Sequence, residues 1–394
     1  MTNKRQTLIE TYPIDWDNEK IQAFRKQLLD WYDANKRDLP WRQTNNPYYI
    51  WVSEIMLQQT QVNTVIPYYE RFIKELPTIK DLAEVEESDL MGLWQGLGYY
   101  SRVRNMQFAA QQVMADFNGE MPNTLEGLLS LKGIGPYTGG AIGSIAFNLP
   151  EPALDGNLMR IVARLFEIDR DIMQNKTKQE FTGILYQLID PERPGDFNQA
   201  LMDIGATIMT PTNYQPVDSP IKEFDQSYQN GTSHLYPVKK KKTKATEHHR
   251  IAYAIRNNQG EWLMRKHNEK ELLTGLWHFP MVEVNVVMEG ATSEELLEPL
   301  VNHIDGNIDT NDLKLDQSLV MNVKEGYELL PTFSQVKHVF SHRIWHVQVM
   351  PFLLNQTIDL SDEDFRWVSI EGLETLPVST LQQKLFNSIV SDRE

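Results

Sequence analysis

Apolar residues recur at helical intervals over the first 230 residues of the chain. In NEKIQAFRKQLLDWYDAN, the side chains of Ile21, Phe24, Leu28 and Trp31 lie three or four positions apart, which predicts an amphipathic helix. The same period continues in EIMLQQTQVNTVIPYYERFIKEL, LMGLWQGLGYYSRVRNMQFAAQQVMADF and TKQEFTGILYQLID. The pattern therefore predicts an all-α domain over residues 1–231.

The period changes after the polar segment NGTSHLYPVKKKKTKATEHH, which predicts an exposed lysine-rich linker over residues 232–247. RIAYAIRNNQGEWLMRKH has two alternating runs around NNQG, a pattern typical of a β-hairpin, and HVFSHRIWHVQVMPFLL also favours strands. TSEELLEPLVNHI (292–304) and STLQQKLFNSIV (379–390) have the period of helices. We expect a smaller α+β domain over residues 248–394, so the fold class is multi-domain.

The distribution of cysteine and histidine limits the chemistry of the first domain. The chain has no cysteine and nine histidines, of which the first is His234. This excludes disulfides, thiolate metal sites and cysteine nucleophiles, and it excludes histidine-based catalysis before residue 234. Carboxylates, Tyr, Ser, Thr, Lys and Arg remain as catalytic groups.

The charge argues against DNA binding through a basic surface. The whole chain carries −16, and residues 1–230 carry 21 Lys/Arg against 31 Asp/Glu, or 21 − 31 = −10. No run of about 18 apolar residues predicts a membrane span, and the N-terminus lacks the apolar stretch of a signal peptide. We expect a cytoplasmic protein without a membrane partner.

One glycine-rich segment can nevertheless bind a phosphate. In NTLEGLLSLKGIGPYTGGAIGSIAF, a short helix is followed by the tight turn KGIGP, where Gly133 and Gly135 are free to take positive φ, and by a second helix beginning at Pro136. This predicts a helix–hairpin–helix over about 125–147. The N–H groups of such a turn hold a phosphate without a basic side chain, and the turn can also take a monovalent or divalent cation. An ordinary αα-hairpin is the alternative.

Twenty residues after Gly135, Asp155 precedes an apolar helix in LDGNLMRIVARLF. Alone it would be an N-cap aspartate. The combination of hairpin, gap and aspartate resembles the endonuclease III superfamily of base-excision DNA glycosylases, in which this aspartate is catalytic. Members that also cleave the strand have a lysine nucleophile two residues after the second hairpin glycine. Here that residue is Tyr137, which cannot form a Schiff base, so the resemblance implies hydrolysis without strand cleavage.

WVSEIMLQQTQVNTVIPYYERF, with RDLPWR before it and GLGYYSRVRN after it, resembles the MutY-type adenine DNA glycosylases. The resemblance covers about residues 15–230 and implies excision of adenine opposite 8-oxoguanine or guanine. Glu54 would be the general acid at adenine N7, and Asp155 would stabilise the oxocarbenium ion or trap it covalently, oriented with Tyr137 and Asn157. The resemblance also assigns the adenine pocket to Arg37, Trp41, Leu57 and Gln199, and DNA contact or intercalation to Gln59, Thr60, Tyr99, Gly133 and Gly135. Trp41 is equally suited to the core.

The second domain resembles a Nudix fold without the Glu-rich hydrolase box. FSHRIWHVQV resembles the Phe-Ser-His motif of the MutY C-terminal domain, at Phe340, Ser341 and His342, and GLWHFP (275–280) is also typical of it. The resemblance implies recognition of 8-oxoguanine. A buried core histidine is the alternative for His342, and the lysine-rich linker is either a solvated spacer or a further contact to DNA phosphates.

MTPTNYQPVDSPIKEFD (209–225) departs from the family pattern. Family members carry four cysteines here, spaced C-x6-C-x2-C-x5-C, that bind a [4Fe–4S] cluster. This chain has Met209, Pro216, Ser219 and Asp225 instead, so no such cluster can form and we expect a clusterless member without a cofactor. We expect prolines to stiffen the loop, Met209 to pack inward, and Ser219 and Asp225 to hydrogen-bond to the backbone.

The implied partner is double-stranded DNA containing an A:8-oxoguanine or A:G mispair, bound by a monomer in a bacterial cytoplasm at the nucleoid. Three other functions stay open at this point. They are an endonuclease III-like glycosylase with lyase activity, a catalytically silent DNA-binding protein, and a Nudix-type nucleotide hydrolase.

Overall fold

The computed structural model describes residues 2–240, 245–268, 271–284, 327–329, 334–340, 342–354, 360 and 364–390. The chain forms two compact units. We call Met1–Val85 with Ser101–Lys241 the helical unit, and Glu86–Tyr100 with Lys242–Glu394 the sheet unit. No helix among the described residues is long and apolar enough to cross a membrane.

The predicted helical period is confirmed in the helical unit, which consists of short helices and 3₁₀ turns. The helices are α1 (Thr2–Thr11), α2 (Asn18–Asn35), α3 (Pro47–Leu57), α4 (Val62–Glu75), α5 (Ile79–Glu84), α7 (Ser101–Asp116), α8 (Leu125–Ser130), α9 (Pro136–Phe147), α10 (Gly156–Leu165), α11 (Asn175–Leu188), α12 (Pro194–Thr207) and α13 (Gln226–Gln229), while α6 (Glu87–Trp94) lies in the sheet unit. The 3₁₀ turns are Pro40–Arg42, Pro216–Asp218 and Ser233–Leu235.

One apolar core joins α2, α10, α11 and α12. Phe24, Phe181 and Phe197 are fully buried in it, and complete burial of each such side chain is worth about 1.5–3 kcal/mol. Phe24 and Phe197 meet edge to face, with ring centroids 6.2 Å apart. The apolar side chains of α10 pack in this core, and this packing fixes the position of the N-terminus of α10.

The helix–hairpin–helix prediction is confirmed at α8 and α9. The Thr124 hydroxyl caps α8 by accepting the N–H of Gly127, and Gly133 takes a positive φ of 80° in the turn. The expectation of positive φ was wrong for Gly135, which has φ −93° because it is the extended N-cap residue of α9. The small residues of α9 allow close packing, since a Cβ on Gly140 would meet the carbonyl oxygen of Pro152 at 2.3 Å.

The sheet unit contains a mixed eight-stranded sheet. Its strands are β1 (Thr246–Arg256), β2 (Trp262–Lys266), β3 (Trp277–His278), β4 (Met281–Val284), β5 (Tyr327–Leu329), β6 (Ser334–Val339), β7 (Arg343–Leu354) and β8 (Phe365–Val368), and it also contains α14 (Ile370–Thr375) and α15 (Thr380–Val390). The order along the main path is β3-β2-β1-β7-β5, while β4 pairs with β1, β6 with β7 and β8 with β2. β1 and β7 are parallel, and the other pairs are antiparallel.

Several predicted elements of the sheet unit are confirmed. β1 and β2 form the hairpin around NNQG, with Gly260 at φ 87° in its turn. The centre of β1 is buried on both faces, with Tyr253 in one core cluster and Ala252 in the other, which explains its continuous apolar run. The helix predicted over residues 379–390 is α15, whereas the helix predicted over residues 292–304 lies outside the described residues.

Candidate active site

A cavity of about 210 Å³ in the helical unit brings together residues that lie far apart in the sequence. Every catalytic and adenine-pocket residue expected from the sequence lines it, as does one residue expected at the DNA. These residues are Arg37, Trp41, Glu54, Leu57, Thr60, Tyr137, Asp155, Asn157 and Gln199. They come from α3, α9, α10, α12 and the loops beside them, so the fold rather than any one segment forms the cavity.

Glu54 lies on α3 and lines the cavity. Its side chain is buried, and the hydroxyl group of Tyr137 donates a hydrogen bond to Oε2. Burial raises the pKa of Glu54 to about 7, with a smaller contribution from the charge of Asp155, while the bond from Tyr137 opposes the rise. A glutamate with this pKa carries its proton at neutral pH about half of the time and can donate it.

Asp155 has a different environment at the N-terminus of α10. Its Oδ1 accepts the N–H groups of Asn157 and Leu158, each at 2.8 Å, and its Oδ2 accepts the side-chain amide of Asn157 at 2.7 Å. Burial raises the pKa of Asp155, and these three hydrogen bonds oppose the rise. The aspartate is therefore both an N-cap and a cavity residue, so the two interpretations of Asp155 are compatible.

Arg160 supports Asn157 from the side away from the cavity, a role that the sequence did not reveal. Its Nη2 donates to Asn157 Oδ1 at 2.7 Å and to the carbonyl oxygen of Gly205 at 2.7 Å, and its Nε donates to the carbonyl oxygen of Met209 at 2.6 Å. The guanidinium thus connects α10, α12 and the loop after α12. Its position three residues after Asn157, on the apolar face of α10, was the available signal.

Two arginines that line the cavity are held by a buried aspartate. Arg42 donates to both carboxylate oxygens of Asp203, at 2.6 and 2.8 Å, and Arg37 Nε donates to the same carboxylate at 2.7 Å. Asp203 is 1% exposed, which makes it a fixed counter-ion. Trp41 both lines the cavity and is buried against Tyr69, with ring centroids 5.4 Å apart, so its two interpretations hold together.

The residues expected to enter the duplex have unusual backbones. Gln59 has φ 60° and Tyr99 has φ 50°, the left-handed region that side chains other than glycine rarely adopt. The side chain of Tyr99 is 46% exposed. Just before Gln59, the Nη1 of Arg102 donates to the carbonyl oxygens of Ile55 at 2.7 Å and Gln58 at 2.5 Å. Arg102 therefore fixes the end of α3.

The loop at residues 209–225 has no thiolate ligand for an iron–sulfur cluster, but it is well packed. Met209 is fully buried, the Ser219 hydroxyl accepts the N–H of Ile221 at 3.4 Å, and Asp225 Oδ1 accepts the N–H of Tyr228 at 3.1 Å. These three expectations are confirmed. Pro216 begins a 3₁₀ turn. With Met, Pro, Ser and Asp at the four positions and no cysteine in the chain, the loop does not fit a [4Fe–4S] cluster.

Two buried arginines hold the loop in place. Arg160 and Arg164 both donate to the carbonyl oxygen of Met209, at 2.6 and 3.3 Å. Arg164 also donates to the carbonyl oxygen of Tyr236 at 3.2 Å, and it stacks over the ring of Tyr214 at 4.0 Å. Arg164 is 1% exposed, so these contacts replace water around a fully buried charge.

The Phe-Ser-His motif lies at the turn between β6 and β7. Phe340 packs against Trp345, with ring centroids 4.9 Å apart, and its N–H donates to the carbonyl oxygen of Arg343. His342 is exposed, which excludes the core interpretation, and its carbonyl oxygen accepts the N–H of Thr246 at 3.1 Å. Ser341 lies outside the described residues.

Comparison with known proteins agrees with both units. Residues 52–187 match the HhH-GPD superfamily of base excision DNA repair proteins, and residues 251–388 match the NUDIX domain. The chain is 33% identical to the adenine DNA glycosylase of Rattus norvegicus over 97% of this chain and 82% of that protein. It is 35% identical to the adenine DNA glycosylase of Buchnera aphidicola subsp. Schizaphis graminum, over 68% of this chain and 77% of the relative. Among solved structures, a thermostable thymine-DNA glycosylase matches with a TM-score of 0.50 and 26% identity, over 54% of this chain and 98% of that one.

Proposed function

The chain belongs to the adenine DNA glycosylases, and we propose that it removes adenine from A:8-oxoguanine and A:G mispairs by using Glu54 as general acid and Asp155 as the carboxylate beside the sugar. It is a monofunctional base excision repair enzyme that hydrolyses the N-glycosidic bond and leaves an abasic site. The observation that supports the proposal most directly is that two carboxylates with different environments line one cavity.

Glu54 supplies the proton that the leaving group needs. Adenine is a poor leaving group as an anion, and protonation at N7 lets the bonding electrons of the C1′–N9 bond move to the base as that bond breaks. A buried carboxyl group with a pKa of about 7 holds this proton at neutral pH, whereas an exposed glutamate would have lost it. The hydrogen bond from Tyr137 goes to Oε2 of Glu54, so in this proposal Oε1 carries the proton to the base.

Asp155 stabilises the positive charge that remains on the sugar. All three of its polar contacts are N–H donors, which favour the ionised form, and it lies at the positive end of the α10 dipole. In the retaining scheme its oxygen bonds to C1′, and a water molecule then displaces it while Glu54, now ionised, accepts the water proton. The products are adenine and the abasic strand, and the enzyme returns to its starting protonation state.

DNA contact rests on main-chain groups and on two wedge residues. The N–H groups at the start of α9, next to Gly133 and Gly135, are suited to a phosphate, and the same turn can take a monovalent or divalent cation. Gln59 and Tyr99 would fill the space that the extruded adenosine leaves in the stack. Phe340, Ser341 and His342 would contact 8-oxoguanine in the opposite strand.

A duplex with a single A:8-oxoguanine pair tests the proposal. We expect strand breaks only after treatment with alkali, because Tyr137 cannot form the Schiff base that cleaves the strand. Breaks without alkali would instead support a glycosylase with lyase activity, and binding without breaks would support a silent DNA-binding protein. Hydrolysis of nucleoside triphosphates would support a Nudix-type hydrolase.

Single substitutions then test the two carboxylates. Glu54→Gln and Asp155→Asn should each lower the single-turnover excision rate by about 10²–10⁴-fold while duplex affinity changes little. The matched control is Glu151→Gln, since Glu151 is also buried and also accepts a hydrogen bond from a tyrosine, Tyr186, but lies outside the cavity. Equal loss in all three variants would contradict the assignment.

A further inference from the structure

A group of potential metal ligands lies in the sheet unit. His267 follows β2, His278 ends β3, and Glu271 lies in the loop between these strands. One ligand atom from each of the three side chains lies within 4.8 Å of the others. Near the three side chains, the N–H of His267 donates a backbone hydrogen bond to the carbonyl oxygen of Leu276.

The hydrogen bonds of the two imidazoles fix their tautomers. His267 Nδ1 lies 2.6 Å from Glu271 Oε2, and His278 Nδ1 lies 2.5 Å from the carbonyl oxygen of Phe279. A carboxylate and a carbonyl only accept, so both Nδ1 atoms carry the proton. The lone pair of each ring is therefore on Nε2. Metal-binding histidines commonly have this arrangement, with a carboxylate or a carbonyl behind the ring.

Neither lone pair has a hydrogen-bond partner among the described residues, although both histidines are buried. Within the described ranges, neither His267 Nε2 nor His278 Nε2 has a hydrogen-bond partner, and the residues are 6% and 2% exposed. The rings are stacked, with centroids 3.6 Å apart and planes inclined by 25°.

We propose that His267 and His278 bind one zinc-class divalent ion through their Nε2 atoms, with Glu271 orienting His267 and water completing the coordination. Neutral imidazoles suit Zn²⁺, Ni²⁺ or Cu²⁺, whereas Mg²⁺ and Ca²⁺ prefer oxygen ligands. Zn–N distances of about 2.1 Å place two ligand atoms of a tetrahedral site about 3.4 Å apart, so the rings turn out of their stack when the ion binds.

Arg265 sets the charge of the site. Its guanidinium donates to both oxygens of Glu271, at 2.6 and 3.2 Å, and Asn268 donates to the same carboxylate at 2.7 Å. These bonds hold Glu271 behind His267 and balance the charge of the carboxylate. The binding energy of the ion therefore comes from the two nitrogen ligands. This favours ions that bind imidazole strongly. The bound ion would join the end of β2 to β3 and stabilise the recognition domain.

Calorimetric titration of the full chain, first stripped with a chelator, with zinc chloride alone tests the proposal. The wild type should take up one ion per chain, and this uptake should be lost in a variant with both His267→Gln and His278→Gln. Glu271→Gln should weaken binding by about 10–100-fold, as expected for a carboxylate behind a ligand. The matched control carries His249→Gln and His346→Gln, another stacked histidine pair in the same sheet, with ring centroids 5.0 Å apart, and should bind like the wild type.

A spectroscopic measurement keeps the proposal falsifiable if the double variant does not fold. Cobalt(II) added to the wild type should give the strong visible absorption of a low-coordinate site with nitrogen ligands. Only the weak spectrum of the hydrated ion would overturn the proposal. Zinc uptake that is equal in the wild type and a folded His267/His278 double variant, or lost in the His249/His346 control, would overturn it as well.

Discussion

Glu54 and Asp155 show how two side chains of the same chemical type acquire different roles. Glu54 is buried and accepts a hydrogen bond from the hydroxyl of Tyr137, and burial is the largest cause of its raised pKa. Asp155 receives three N–H donors at a helix N-terminus. One carboxyl group is thus suited to hold a proton and the other to remain charged.

The pKa of Glu54 predicts how excision depends on pH. The general acid must be protonated, so the single-turnover rate should fall about tenfold per pH unit above about pH 7. Rapid-quench assays over a pH series measure this limb. The Glu151→Gln variant should show the same fall in rate above about pH 7. A rate that rises continuously with pH would contradict the role of Glu54.

The same pKa predicts a stability cost at high pH. The folded pKa of about 7 exceeds the ordinary 4.5, so wild-type stability from this group is full below 4.5 and falls as pH rises toward 7. A shift of this size corresponds to up to about 3 kcal/mol. Glu54→Gln should therefore unfold at higher denaturant than the wild type above pH 7 and at nearly the same denaturant near pH 4.5. An equal difference at both pH values would show that charge burial is not the cause.

Sequence patterns revealed the cavity residues that carry the family motifs, but not the charged groups around them. Arg42 and Asp203 lie on a turn and a helix where charged side chains are expected at the surface, and the position of Arg160 on the apolar face of α10 does not by itself show what its guanidinium contacts. Their burial depends on partners up to 166 residues away, as between Arg37 and Asp203. Such pairings arise from tertiary packing, which local periodicity does not contain.

At the scale of elements, the end of α3 is held by more than its own helical bonds. The last carbonyl groups of a helix lack intrahelical donors, and Arg102 on α7 supplies a guanidinium to those of Ile55, Met56 and Gln58. Gln59 then turns into the left-handed region. Gln59, which we propose enters the duplex, is therefore supported by a neighbouring helix, which explains how a strained backbone persists there.

The loop after α12 is held by hydrogen bonds from Arg164, where family members have a [4Fe–4S] cluster. Arg164→Gln should lower the free energy of unfolding by at least about 2 kcal/mol, because the carbonyl groups of Thr210 and Tyr236 lose this donor and that of Met209 retains only the bond from Arg160. Denaturant titration measures this, and proteolysis should cut the loop at residues 209–225 sooner. Arg170→Gln is the control, since Arg170 is 51% exposed in its ion pair with Glu180 and should change stability by less than about 1 kcal/mol. Equal stability of the Arg164 variant and the wild type would show that Arg164 does not hold the loop in place.

At the scale of the whole molecule, the net charge of −16 shapes binding to DNA. Proteins that neutralise six to ten phosphates lose about 10³–10⁵-fold in affinity between about 50 and 200 mM salt. If main-chain N–H groups carry much of the contact, the loss here should be below about 10²-fold. Fluorescence anisotropy with a mispaired duplex measures it, and a loss of 10³-fold or more would point to extensive contact by basic side chains.

A variant with Lys239→Gln and Lys240→Gln separates the two interpretations of the linker. Both lysines are exposed, while residues 241–244 lie outside the described part of the chain. Each lysine that contacts a phosphate should contribute about 0.9 to the slope of log affinity against log salt. An unchanged slope would identify these two residues as parts of a solvated spacer.

The contacts of Arg160 and Arg164 with the loop at residues 209–225 also change what the cell has to provide for this enzyme. Guanidinium–carbonyl contacts form from the polypeptide alone, so the loop needs no iron, no sulfide and no assembly machinery to reach its folded state. Chelators have nothing to extract from residues 209–225, and peroxide has no thiolate there to attack. Base excision by this protein can therefore continue during iron starvation and oxidative stress, when a protein with a cluster would compete for a scarce and easily damaged cofactor.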